Sequence, residues 1–198
     1  MYTLALIALL AASAMADIPS SCKRLDCPKF KVLRKTGEYE VREYEESRWA
    51  STDVYDMDCS RARSIGFKHL FNYISGDNAA NAKIPMTAPV LTTIIPGEGP
   101  ACESNFTVSF YQPFNMQENG GPAPSDANIY LSVLPNVTMY VRSFPGYASE
   151  EEYLNQAGQL AAAINNPDIY DTDLYYTAGY DSPYKFLNRH NEVLFQAK

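Results

Sequence analysis

The chain has 198 residues, 46% of them hydrophobic and 13% aromatic, with 15 tyrosines. That is enough apolar material for a packed core and too much for a disordered chain, and at this length one domain of ordinary size is expected. Lys and Arg number 16 against 23 Asp and Glu, a net charge of −7, which argues against an electrostatic nucleic-acid binder because phosphate recognition needs a basic surface.

Leu4 to Ala12 form a short apolar run, followed by Ala14-Met15-Ala16, whose small residues suit signal-peptidase cleavage before Asp17. Residues 1–16 therefore read as a secretory signal. The run is too short to span a bilayer and no second one follows, so no membrane span is expected. A cysteine-bearing arm occupies residues 17–29, and the rest of the chain to residue 198 reads as one domain of two similar halves, about 30–100 and 101–198.

All four cysteines, Cys22, Cys27, Cys59 and Cys102, lie beyond the signal segment, and an even count in an oxidising compartment favours disulfides. Three pairings are open. The preferred one joins Cys22 to Cys27, pinning the arm, and Cys59 to Cys102, tying two parts of the fold together. A zinc site is the rival, but there is no CxxC pair and neither His69 nor His190 has zinc spacing to the cysteines. Asn105-Phe106-Thr107 and Asn136-Val137-Thr138 are glycosylation sequons, both beside strand-like segments whose burial would oppose modification.

Phe30 to Leu33, Tyr39 to Tyr44 and Arg48 to Val54 are rich in β-branched and aromatic residues and are separated by turn signals, which predicts a β-meander. Ala62, Phe67, Leu70, Phe71 and Ile74 then recur at helical steps; Asp58 or Ser60 can cap the start and Gly76 ends the run, predicting a helix over about 60–75. From Lys83 the chain reads as extended to Ile95, ahead of a Pro96-Gly97-Glu98-Gly99-Pro100 loop. The second half repeats the order, with strands at about 105–112, 128–134 and 137–144, a helix at about 150–165, and strands at about 173–180 and 191–197. Ser149 and Glu152 form a capping-box pattern, and Gly120 to Asp126 reads as a long loop. The expected fold is α+β, a sheet or barrel flanked by two helices.

Catalytic signatures are absent from the sequence: there is no G-x-S-x-G elbow, no HExxH and no phosphate-cradling Gly-rich loop. Glu45-Glu46 and Glu150-Glu151-Glu152 read as a solvated turn and a helix start favoured by the macrodipole, so an enzyme is not expected. What remains is an aromatic first helix followed by the proline-flanked Lys83 to Val90 segment. Such a pairing leaves room for an apolar cleft walled by Phe67, Phe71 and Met86.

Tyr39-Glu40-Val41-Arg42-Glu43-Tyr44 with Trp49-Ala50-Ser51-Thr52, then Lys83 to Val90, then Tyr175 to Pro183 with Asn188-Arg189-His190-Asn191-Glu192-Val193, resemble the SOUL heme-binding family, in the same order from about residue 30 to 197. The resemblance implies a pseudo-twofold, distorted antiparallel β-barrel flanked by two α-helices. It also implies non-covalent binding of heme or a related tetrapyrrole in a shallow apolar patch beside the first helix, with basic groups near the propionates. Where other members place a proposed axial histidine, this chain has Glu43, a poor ligand for iron compared with imidazole. Patch positions held elsewhere by arginine, methionine and lysine fall on Ser64, Phe67 and Asn72, while a C-terminal loop lysine is kept as Lys185. Ser64, Phe67, Lys68, Phe71, Met86 and Lys185 are thus the expected ligand-binding residues.

His69 is a weak candidate axial ligand, because at 100° per residue it stands about 200° around the helix from Phe67. His190 reads as a surface residue where loop meets strand. The expected protein is secreted and disulfide-stabilised, a heme or tetrapyrrole carrier, scavenger or sensor. Two alternatives stand beside it: an extracellular structural or interaction protein that has kept the fold without heme, and a carrier of another apolar small molecule.

Overall fold

The computed structural model describes residues 19–97 and 104–198. The signal-like segment 1–16 and Cys102 lie outside the described residues. Among those described, nine strands form one antiparallel sheet: β1 (Phe30–Lys35), β2 (Glu40–Tyr44), β3 (Ser47–Asp56), β4 (Val90–Ile95), β5 (Ser104–Tyr111), β6 (Ile129–Leu134), β7 (Val137–Phe144), β8 (Tyr175–Gly179) and β9 (Asn191–Gln196). Helix α1 (Cys59–Ser75) follows β3 and α2 (Glu150–Ile164) follows β7. The result is an α+β half-barrel, a curled antiparallel sheet flanked by two helices.

Across the sheet the strands run β1-β2-β7-β9-β8-β4-β5-β3-β6. The chain thus repeats one unit twice, β2-β3-α1-β4-β5 and β6-β7-α2-β8-β9, and the two units meet where β4 pairs with β8. Each unit lends its first strand to the other: β2 pairs with β7, and β6 with β3.

Directly paired residues point to the same face, so the row Val108, Thr92, Thr177 and Val193 runs along one face through β5, β4, β8 and β9. Both helices sit on that face. α1 packs on β3 and β5, and α2 on β7 and β9. The central pair β4–β8 lies between them.

The helix boundaries follow from local chemistry. Asp58 accepts from the Ser60 and Arg61 amides at 2.8 and 3.0 Å, and Gly76 closes α1 at φ 125°, a conformation that favours glycine. Ser149 accepts from the Glu152 amide at 3.2 Å, but the Glu152 carboxylate accepts from Gln156 at 2.8 Å, so the expected capping box is only half made. The Lys83 to Ile95 stretch is strand only from Val90, because Pro85 and Pro89 cannot donate to a ladder. Gly66 is required where α1 crosses the sheet, since a Cβ there would stand 2.5 Å from Val108 Cγ2. Leu70, Tyr73, Val108 and Phe110 pack the core beneath α1, while Leu160, Tyr153, Val193 and Phe195 do so beneath α2.

The expected Cys22–Cys27 disulfide is present, with a Cα separation of 6.1 Å. The expected Cys59–Cys102 bridge is not borne out, because Cys59 is a free, buried thiol. It opens α1 and its sulfur accepts from Arg63 Nη2 at 3.2 Å, while burial pushes its pKa up. Asn136 is exposed at the β6–β7 turn and accepts the Glu46 amide at 2.6 Å, whereas Asn105 is half-buried in β5.

Candidate functional site

The gap between the helices, above β4 and β8, forms an open cleft of about 430 Å³. Its floor is Val90 and Thr92 of β4, Thr177 and Gly179 of β8, and Asn191 of β9. One wall is the first three turns of α1, with Ser60, Arg63, Ser64 and Phe67; Tyr147, Ala148 and Tyr153 make the other. Asp181, Pro183 and Arg189 of the β8–β9 loop form the rim. A volume of this order, with apolar walls and a few polar groups, is the usual form of a small-molecule site.

Phe67 stands edge-on to Phe110 at 5.2 Å and stacks on Phe71 at 5.8 Å, yet remains 36% exposed. It therefore offers an aromatic face to a ligand while its other contacts fix the ring. Two guanidinium groups flank the same space. Arg63 lies over the Tyr153 ring at 4.7 Å, and Arg189 over the Tyr147 ring at 4.3 Å. The Nε of each is buried without a hydrogen-bond partner. Arg63 donates to the Cys59 sulfur and stands beside the hydroxyl-bearing ring of Tyr153, and no carboxylate salt bridge to it occurs among the described residues. Arg189 spends its Nη groups on the Ser182, Lys185 and Asp181 carbonyls, which fold the loop around it.

Of the expected ligand-binding residues, Ser64 and Phe67 line the cleft. Phe71, one turn further along α1, and Lys68 are exposed beyond it. Met86 is partly buried against the core beneath α1. Lys185 turns inward to Asp181 at 2.9 Å and also donates to the Asn188 carbonyl. Asn72 is exposed, and its carbonyl accepts the cap of α1. His69 lies 3.3 Å from Thr52 Oγ1, against β3 and away from the cleft. Glu43 is exposed on β2, the strand next to the β1 edge, and has no part in the cleft.

His190 is more than a surface residue. Its Nε2 is 2.8 Å from Glu192 Oε1, beside Arg42 Nη1 at 3.0 Å, and Tyr180 donates to Oε2 at 2.8 Å. Burial opposes the charge on Glu192, but the hydrogen bond from His190, the charge of Arg42 and the Tyr180 hydroxyl outweigh it and hold its pKa at about 2. Asp181 is also held at about 2: desolvation opposes its charge, and bonds from Lys23, Lys185 and the His190 amide prevail.

The sequence reading missed Arg63 and Arg189. Arg63 was legible as the neighbour of Ser64 on the cleft side of α1, but nothing in the spacing brings Arg189 to the same space.

A heme or other tetrapyrrole asks for an apolar surface against its face and cations for its carboxylates, and Phe67 with Arg63 and Arg189 fits both demands. None of the cleft-lining residues is His, Cys or Met, so the fit is to the ring and its rim and not to a soft-ligand bond with iron. No cluster of three or more His, Cys, Asp or Glu able to hold a metal ion occurs among the described residues. None of their helices is long and apolar enough to cross a membrane.

Fold and cleft together define an α+β half-barrel with an open cleft between its two helices. The chain belongs to the SOUL heme-binding protein family, whose model matches residues 25–196. It is 41% identical over 158 residues to Heme-binding protein 2 of Homo sapiens, covering 79% of this chain and 77% of that protein. Heme-binding protein 1 of Xenopus tropicalis is 36% identical over 158 residues, 79% of this chain and 82% of that protein. Among solved structures, the C-terminal domain of EcmrR shares the fold at a TM-score of 0.61 and 14% identity, covering 81% of this chain and 97% of that one.

Proposed function

We propose that this chain is a secreted, non-covalent binder of heme or related tetrapyrroles, acting as a carrier, scavenger or sensor through the cleft between α1 and α2. Membership of the family supports the ligand class. The observation that carries the cleft assignment is the juxtaposition of the exposed Phe67 face with the Arg63 and Arg189 guanidinium groups around one space. A tetrapyrrole carboxylate gains a charge-assisted bond from Arg63, and the ring displaces water from Phe67. With no soft ligand in the cleft, the affinity rests on ring contact and carboxylates, on the order of micromolar once association costs are met.

The test is a hemin titration of the secreted, disulfide-intact protein followed by absorbance. The expected result is saturable binding with a Soret shift, weakened about tenfold or more in Phe67→Asp and about three- to tenfold in Arg63→Glu. No saturable binding at tens of micromolar hemin, or full affinity in both variants, contradicts the assignment.

A further inference from the structure

Both helices cover one face of the sheet, and the opposite, concave face is left to its own side chains. Over β3, β5 and β6 that face holds a groove of about 170 Å³. Trp49, Leu91, Leu134 and Tyr176 belong both to this groove and to an apolar recess of about 30 Å³ that extends it. Neither part has a charged residue in its lining, in contrast to the cleft on the helix side.

The groove contains a ladder of hydroxyls. Ser51 Oγ lies 2.9 Å from Ser109 Oγ and 2.8 Å from Ser132 Oγ. Three hydroxyls carry three protons, and two oxygen–oxygen contacts use only two of them. One proton is therefore left without a protein acceptor among the described residues. Ser51 and Ser109 are only 2% and 6% exposed and Ser132 is partly buried, so whichever serine carries the spare proton, that donor lies in the lining of the groove with a hydrogen bond to protein left unmade. An acceptor placed in the groove would relieve it.

We propose that the concave groove is a second ligand site, for a small neutral aromatic molecule carrying one hydrogen-bond acceptor. The ring packs against Trp49, Leu91 and Tyr176, and the acceptor oxygen takes the spare proton of the serine ladder. Neutrality follows from the uncharged lining, which offers an ion no compensation for lost water. Size follows from the volume: a cavity of about 150 Å³ accommodates one benzene ring, and a tetrapyrrole is several times too large. No residue lines both this site and the cleft between the helices.

Trp49 is the sole tryptophan of the chain, so its emission reports on the groove alone. The experiment titrates the full disulfide-intact protein with acetophenone, which carries a carbonyl acceptor, and with toluene, which has none. Binding is read by Trp49 emission and by saturation-transfer NMR. Saturable acetophenone binding is expected, at least tenfold tighter than toluene, and lost in Ser132→Phe, which fills the groove while leaving hemin binding unchanged. The triple Ser51→Ala, Ser109→Ala, Ser132→Ala variant is expected to bind the two probes equally. A strictly linear emission change without saturation transfer would mean that the groove holds only water, and would overturn the proposal. So would acetophenone binding that survives Ser132→Phe, or equal affinity for toluene in the unaltered protein.

Discussion

The two halves of the sheet carry equivalent helices but hold together by different means. Under α1 the contact is apolar and very close: Gly66 lets the helix touch Val108, and Ala62, Leu70, Tyr73 and Ile74 are buried along its length. α2 fully buries only Tyr153 and Leu160. On the opposite side of that half's strands lies a buried ionic group, in which Glu192 is wholly enclosed and paired with Arg42. The first half is therefore sensitive to added volume, and the second to the loss of a charge partner.

The largest effect is expected where a buried partner is removed. Arg42→Met leaves the enclosed Glu192 with His190 and Tyr180 but without its guanidinium partner, which should cost about 3 kcal/mol in a denaturant-unfolding measurement at neutral pH. Gly66→Ala should cost about 1–3 kcal/mol, because β5 or α1 must shift to admit the methyl group. An unchanged midpoint in Gly66→Ala would show that the close approach has slack and would blur the contrast.

Acid separates the two halves further. Glu192 titrates at about 2 in the folded chain against an ordinary 4.5. A depressed folded pKa stabilises above the unfolded value, so the contribution, on the order of 3 kcal/mol, is complete above about pH 5 and fades as the pH falls towards 2. In Arg42→Met the share owed to Arg42 is gone while the His190 and Tyr180 bonds remain, and protonation relieves the weakened site, so its deficit should shrink between pH 7 and pH 3. The Gly66→Ala deficit should stay constant over the same range. Unfolding of the three proteins at both pH values checks this.

Much of the fold was legible because its signals are local. The α1 cap at Asp58, the stop at Gly76 and the apolar period between them place α1 within a residue of its expected start. The strand order of the second half follows in the same way. Other features depend on the tertiary pairing of distant residues. Arg42 and Glu192 stand 150 residues apart in sequence and meet only because β2 crosses to β7 and β7 pairs with β9. Arg189 reaches the cleft because its own loop closes around it. Phe67 was legible from the helical period and Ser64 from the family resemblance, but neither could say that the cleft ends before Phe71, or that Lys185 would be held by Asp181. The free state of Cys59 was hidden for the same reason: an even cysteine count says nothing about which sulfurs meet.

The central claim is that a tetrapyrrole is held in the cleft by its face and its carboxylates, since no imidazole, thiol or thioether lines that space. Its most direct test compares the dissociation constants of hemin and metal-free protoporphyrin for the unaltered protein and for His69→Ala. The account requires the two ligands to bind within about threefold of one another, with His69→Ala indistinguishable from the unaltered protein. Protoporphyrin binding more than about tenfold weaker than hemin, with the hemin spectrum changed in His69→Ala, would contradict it and make that histidine the iron ligand.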